Sequence, residues 1–144
     1  MKSLLCACTI IYCAIASSGC GSSAAGKELL GSYSVMISSM GKSDPDVMTV
    51  SPGTDEKLLF TFAAGITTDV GAVDANGLRA DLKSSSIITL DAQPAHIDHS
   101  TGSLSGTVTG SGTLGGDGSC DIMLHFVSDD MSATQDYEVS GSKE

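Results

Sequence analysis

The chain has 144 residues, and removal of an N-terminal export segment leaves roughly 125, room for one domain and not two. Hydrophobic residues make up 41%, which excludes a globally disordered chain. Seventeen acidic residues face seven basic ones, a formal net charge of -10 that opposes nucleic-acid binding and charge-driven docking on anionic lipid. Aromatic residues are only 4% with no Trp, so few rings are free for a sugar- or base-stacking platform.

The first element is an export segment. Lys2 supplies a short positive start, and residues 4–16 form an uncharged, mostly apolar run. About thirteen residues suit the apolar region of a signal and fall short of the twenty or so that span a bilayer. Ala16-Ser17-Ser18-Gly19 then leads directly into Cys20. Small residues ending in Gly before a Cys resemble the lipobox of bacterial lipoproteins, with Ser17 standing where that class usually has Leu. The resemblance implies a signal peptide over residues 1–19, a diacylglycerol on the Cys20 thiol, a cut just before it, and so a membrane partner held through lipid. Gly21 follows, where lipoproteins kept in the inner membrane often carry Asp, so the same resemblance implies the outer membrane. If Cys20 carries no lipid, the protein is secreted.

Residues 20–28 then read as the lipidated Cys and a flexible tether, because the stretch 21–26 is small and uncharged, with a reach of roughly 15 Å. Residues 29–144 are left as a single β domain. Cys6, Cys8 and Cys13 lie in the signal, so only Cys20 and Cys120 remain. With lipid on Cys20 there is no disulfide framework. A Cys20–Cys120 bond belongs to the secreted alternative.

From residue 29 onward the dominant period is two, the period of a strand. Residues 29–39 place Gly31, Tyr33, Val35 and Ile37 on one face. Residues 41–56 read as one long connection holding Pro45, Pro52 and Gly53, with a short edge strand near 47–50. Leu58, Phe60 and Phe62 share a face. Segments 67–73 and 78–82 flank Asp74-Ala75-Asn76-Gly77, whose Asn-Gly step signals a hairpin turn. Residues 86–90 form another strand. Residues 104–114 and 119–128 make the strongest hairpin, joined by Gly115-Gly116-Asp117-Gly118. Its inward face carries Leu104, Gly106, Val108, Gly110, Gly112 and Leu114, answered by Cys120, Ile122, Leu124 and Phe126. In 133–141, Ala133, Gln135, Tyr137 and Val139 share a face.

About eight strands in a meander predict an all-β antiparallel fold. An up-and-down barrel is favoured over a two-sheet β-sandwich. Gly31-Ser32-Tyr33 resembles the Gly-x-aromatic entry of lipocalin-like and avidin-like barrels, and inward glycines suit a sharply coiled strand.

Chemistry-bearing residues are sparse. His96, Asp98 and His99 are candidate transition-metal ligands. On a strand His96 and Asp98 share a face while His99 points away, and no zinc spacing matches. The competing reading is a polar turn after Pro94. Asp74-Ala75-Asn76-Gly77 resembles part of a calcium loop but has Ala72 and Lys83 where acidic ligands are needed, so a turn fits it better. Asp129-Asp130 reads as a turn, and the row Ser105, Thr107, Thr109, Ser111, Thr113 as a solvent face. His125 points outward, within possible reach of a carboxylate. No nucleophile elbow, zinc-protease helix motif, phosphate loop or dinucleotide fingerprint is present. The expectation is a lipid-anchored, non-enzymatic envelope or surface protein with no cofactor, whose β domain binds an envelope protein or a small molecule and no nucleic acid. Two alternatives are a small-ligand carrier with a barrel cavity and a metal- or calcium-dependent adhesion module.

Overall fold

The computed structural model describes residues 24–68, 71–74, 77–99 and 102–144. The period-two pattern becomes ten strands: β1 Gly31–Ser39, β2 Lys42–Pro52, β3 Leu58–Phe62, β4 Ile66–Thr68, β5 Gly71–Asp74, β6 Leu78–Leu82, β7 Ile87–His99, β8 Gly102–Leu114, β9 Ser119–Ser128 and β10 Thr134–Lys143. All pairings are antiparallel, in the order β8-β9-β10-β1-β2-β3-β6-β7, and β7 pairs back onto β8. The result is a closed up-and-down barrel of eight walls, the architecture expected over the sandwich. Closure leaves no long free edge to recruit another strand.

Two walls are interrupted. β5 and β6 oppose β7 in one continuous register, Asp74 opposite His96 and Asp81 opposite Thr89. They are therefore two halves of a single wall, and β3 and β4 are the matching halves of the wall before it. The expected strand over 67–73 is in fact split between β4 and β5, and the hairpin expected at 74–77 does not form. Ala75 and Asn76 lie outside the described residues. After Phe62 the chain kinks at 63–65, where Gly65 has φ 77°, and Ile66 is fully buried beside β1 and β2.

The long connection expected over 41–56 is corrected as well. β2 is a full strand of the ring, joined to β1 by the two-residue turn Met40-Gly41, with φ 50° and 77°. Such left-handed pairs match strand twist, and Asn-Gly is their usual signal. Met-Gly hides the turn from sequence. Pro45 is tolerated because Ser39↔Lys42 closes the hairpin, which puts Met36↔Pro45 at a non-hydrogen-bonded pair. β7 likewise runs through Pro94 to His99, correcting the turn expected there. A bulge at 91–92 shifts its register against β8, and Pro94 falls between the stretches paired with β6 and β5, where no ladder bond is lost.

Inward side chains fill the barrel. Tyr33, Met48, Phe60, Leu78, Ile88, Val108, Leu124, Phe126, Tyr137 and Val139 are all within 2% of complete burial. Eight walls enclose just enough width for such filling. The inward glycines make this possible. A Cβ on Gly112 would overlap the Asp121 carbonyl and sit 2.6 Å from the Ile122 Cα, so β8 and β9 approach more closely there than any side chain allows.

Part of the stretch expected as a tether is folded. Ala24–Leu29 is a 3₁₀ helix that closes one end of the barrel, with Leu29 and Gly26 buried and the Lys143 Nζ donating to the Glu28 carbonyl at 2.8 Å. Tyr33 pins it by donating to the Leu29 carbonyl at 2.8 Å. This tether end also gathers the β2–β3, β6–β7 and β8–β9 turns. The opposite, far rim gathers the β1–β2 and β9–β10 turns.

Polarity is apolar inside and polar outside. Outward positions on β8, β9 and β10 include Thr109, Ser111, Thr113, Asp121, His125, Asp136 and Glu138. A barrel that crosses a bilayer with its strands needs an outward apolar band about 25 Å tall, and this one presents hydroxyls and carboxylates there. No described helix is long and apolar enough to cross a membrane.

Candidate functional site

Cys20 lies outside the described residues. His96, Asp98 and His99 all belong to β7, opposite Ser105, Ser103 and Gly102 of β8. The exposed His96 ring is engaged through Nδ1 with the Ser105 hydroxyl at 3.0 Å. Among the described residues no three His, Cys, Asp or Glu side chains cluster as a metal centre would. Cys120 points inward as alternation required, and burial pushes its thiol up to about 12, helped by the neighbouring Asp121 charge. Such a thiol is a packing group and not a nucleophile. His125 does find a carboxylate: its Nδ1 lies 2.5 Å from the Asp136 Oδ1 across the exposed β9–β10 ladder.

The wall opens where β6 and β7 part at the bulge. A cleft of about 270 Å³ lies there, lined by Asp55, Lys57, Arg79, Asp91, Gln93 and Pro94. Gln93 replaces the missing strand ladder, accepting from the Arg79 N–H at 2.8 Å and donating to the Arg79 carbonyl at 2.7 Å. Lys57 is claimed by Asp81 at 3.2 Å and Asp91 at 3.5 Å, which hold its ammonium charged and keep the Asp81 carboxyl below its usual range. Arg79, the chain's one arginine, has no ion pair among the described residues. Two carboxylates balance the two cations of the lining, so the cleft is no strong anion trap, and its volume falls below the usual range for small-molecule sites.

The far rim is built differently. Met40 at the β1–β2 turn and Met131 at the β9–β10 turn both have left-handed backbones, φ 50° and 55°. That conformation costs an L-residue about 1 kcal/mol or more, and neither side chain regains it by packing. They are the most exposed large apolar side chains among the described residues, at 76% and 81%. β1 pairs with β10, and the end of β1 is tied to that strand. Ser39 donates to the Asp136 carbonyl at 2.6 Å, and Gln135 donates to the Ser39 hydroxyl at 3.2 Å. Asp130 fixes the second turn by accepting from the Ser128 and Ser132 hydroxyls and the Ser132 N–H. Led by the Ser132 hydroxyl, these bonds hold its carboxyl down at about 2. Sequence reading passed over both methionines, and the available signal was an apolar residue at the tip of a turn.

No family model matches the chain, and no curated protein matches it at sequence level. Among solved structures it is similar to one described as a "putative outer membrane protein" from Bacteroides fragilis, at 14% identity and a TM-score of 0.49. The similarity covers 83% of this chain, which spans about half (52%) of that protein.

Proposed function

We propose that this chain is a lipid-anchored envelope protein, held in the outer membrane through Cys20, whose barrel stands in water and works by binding partners on its outside. The observation that carries this reading is the polarity of the barrel. Its strands present Ser, Thr and Asp outward and bury an apolar interior, so attachment to a membrane falls to the N-terminal segment, where the lipobox-like Ala16–Cys20 junction lies. The same packing disfavours the carrier alternative, because the described inward side chains leave one another no ligand-sized space. Among the described residues no assembled set of groups supports catalysis, and none of them clusters to favour the metal-dependent alternative.

Growth of cells expressing the chain with labelled palmitate tests the anchor. The wild type should carry label and sediment with membranes, whereas Cys20→Ser should be unlabelled and released. An unlabelled wild type, or a Cys20→Ser protein that stays with membranes after an alkaline wash, would overturn the reading.

A further inference from the structure

The chain leaves little length between Cys20 and the barrel. Three residues, 21–23, separate Cys20 from Ala24, where the 3₁₀ helix that closes the tether end begins. Four peptide steps span at most roughly 14 Å, so with lipid on Cys20 the tether end stays against the headgroup layer. The cleft between β6 and β7 belongs to this end. Asp55 and Lys57 enter it from the β2–β3 turn, and Arg79 stands opposite Leu59, two residues and about 7 Å along β3 from Lys57. Lys57 and Asp91 are already paired with each other, and Lys57 with Asp81 as well. The other two charges of the lining, the exposed Arg79 guanidinium and the exposed Asp55 carboxylate, have no ion pair among the described residues. Both stand on fixed backbone. The Gly53 N–H donates to the Lys57 carbonyl at 2.8 Å and closes the turn that carries Asp55, and the Gln93 amide holds the Arg79 N–H and carbonyl.

We propose that this cleft binds the headgroup of a zwitterionic phospholipid, with its phosphate on Arg79 and its ammonium on Asp55. The inference rests on the anchor reading, and it adds a second, specific contact with the membrane. Charge selects the headgroup. Carboxylates outnumber lysines at the tether end, where Glu28, Glu56, Asp117 and Glu144 lie, so anionic headgroups are repelled. A lone anion would satisfy Arg79 and face the Asp55 charge, and a lone cation the reverse, whereas a headgroup that carries both charges satisfies both side chains. Guanidinium matches phosphate through paired N–H donors. A cleft of about 270 Å³ is small for a drug-sized molecule but has room for a phosphate and an ammonium two carbons apart. Exposed ion pairs are weak taken alone. The anchor offsets this by holding phospholipids within reach of the cleft at high effective concentration.

The test uses the full-length protein in mixed micelles holding equal amounts of phosphatidylethanolamine and phosphatidylglycerol. Native mass spectrometry reads non-covalent phospholipid on the intact chain, and the denatured mass sets the covalent anchor apart. The wild type should retain one phosphatidylethanolamine and several-fold less phosphatidylglycerol. Arg79→Gln should cut that retention about five-fold. The barrel should stay folded, since Gln93 bonds the backbone of residue 79 and not its side chain. Asp55→Asn keeps a residue that accepts the left-handed backbone there, φ 57°, and should cut retention several-fold while raising phosphatidylglycerol. Glu138→Gln, on the exposed face of β10, should change nothing. The proposal fails if the wild type retains no phosphatidylethanolamine, if Arg79→Gln retains it equally well, or if phosphatidylglycerol is preferred. It also fails if equimolar soluble glycerophosphoethanolamine displaces the lipid, which would make the cleft a site for a soluble ligand. A palmitate-labelled protein whose lipid retention is indifferent to Arg79→Gln would end the headgroup proposal and leave the anchor reading standing. Arg79-dependent retention by an unlabelled protein would do the reverse.

Discussion

Replacing Tyr137 by Phe should stabilise the barrel, whereas replacing Tyr33 by Phe should weaken it. Both rings are fully buried, but their hydroxyls differ. Tyr33 donates to the Leu29 carbonyl, while the Tyr137 hydroxyl is buried with no hydrogen-bond partner. An unsatisfied buried hydroxyl costs about 1–3 kcal/mol, and its removal leaves a hole of only one oxygen. Allowing for that hole, Tyr137→Phe should gain about 1 kcal/mol, or roughly 3–5 °C in Tm for a domain of this size. Tyr33→Phe strands the Leu29 carbonyl and loosens the 3₁₀ plug, a loss of about 1–2 kcal/mol. Burial also pushes the Tyr137 phenol up to about 12 from its ordinary 10.0. The stability this proton carries is complete below pH 10 and is lost as pH rises towards 12, so Tyr137→Phe should remove that part of the alkaline decline. Urea and thermal unfolding followed by circular dichroism, at neutral pH and between pH 10 and 12, measure all of this. A Tyr137→Phe protein clearly less stable than wild type would refute the reasoning, since it would mean the hydroxyl has a partner.

Gly112→Ala should cost about 3 kcal/mol or more, or block folding, because its Cβ would strike the β9 backbone, which cannot yield as a side-chain tip can. Gly116→Ala, whose Cβ would meet nothing closer than the Glu28 Cγ at 4.0 Å, is the matched control and should unfold within about 0.5 kcal/mol of wild type in urea. Asp130 sits at about 2, below its ordinary 3.8. Its contribution is present above pH 4 and is lost as pH falls towards 2, so the Tm of wild type should drop more steeply across that window than that of Asp130→Asn.

Much of the wall pattern was legible in the amino-acid order, because a strand's two faces are a local property. Alternation along 104–114 and 119–128 assigned the inward apolar residues of β8 and β9, Cys120 included, and the glycine-rich turn joined them; buried Ser128 was not among them. The candidate site was hardly legible. Met40-Gly41 makes a turn whose usual signal is Asn-Gly, so β2 read as a connection. Asn76-Gly77 carries that signal and makes no hairpin, because β5 and β6 are bound to the same neighbour, β7. Pro94 looked like a strand breaker until the bulge at 91–92 placed it where no ladder bond was missing.

By itself the sequence determined the lipobox-like segment before Cys20, the acidic balance, the all-β class and the inward faces, all of which depend on composition or on neighbours a few residues apart. Only the tertiary structure decided the rest: which strands close the ring, where the two walls break, and that the described inward side chains are buried against one another. Those outcomes depend on register and hydrogen bonding between residues as far apart as Ser39 and Asp136, and a period of two carries no information about which strand lies beside which.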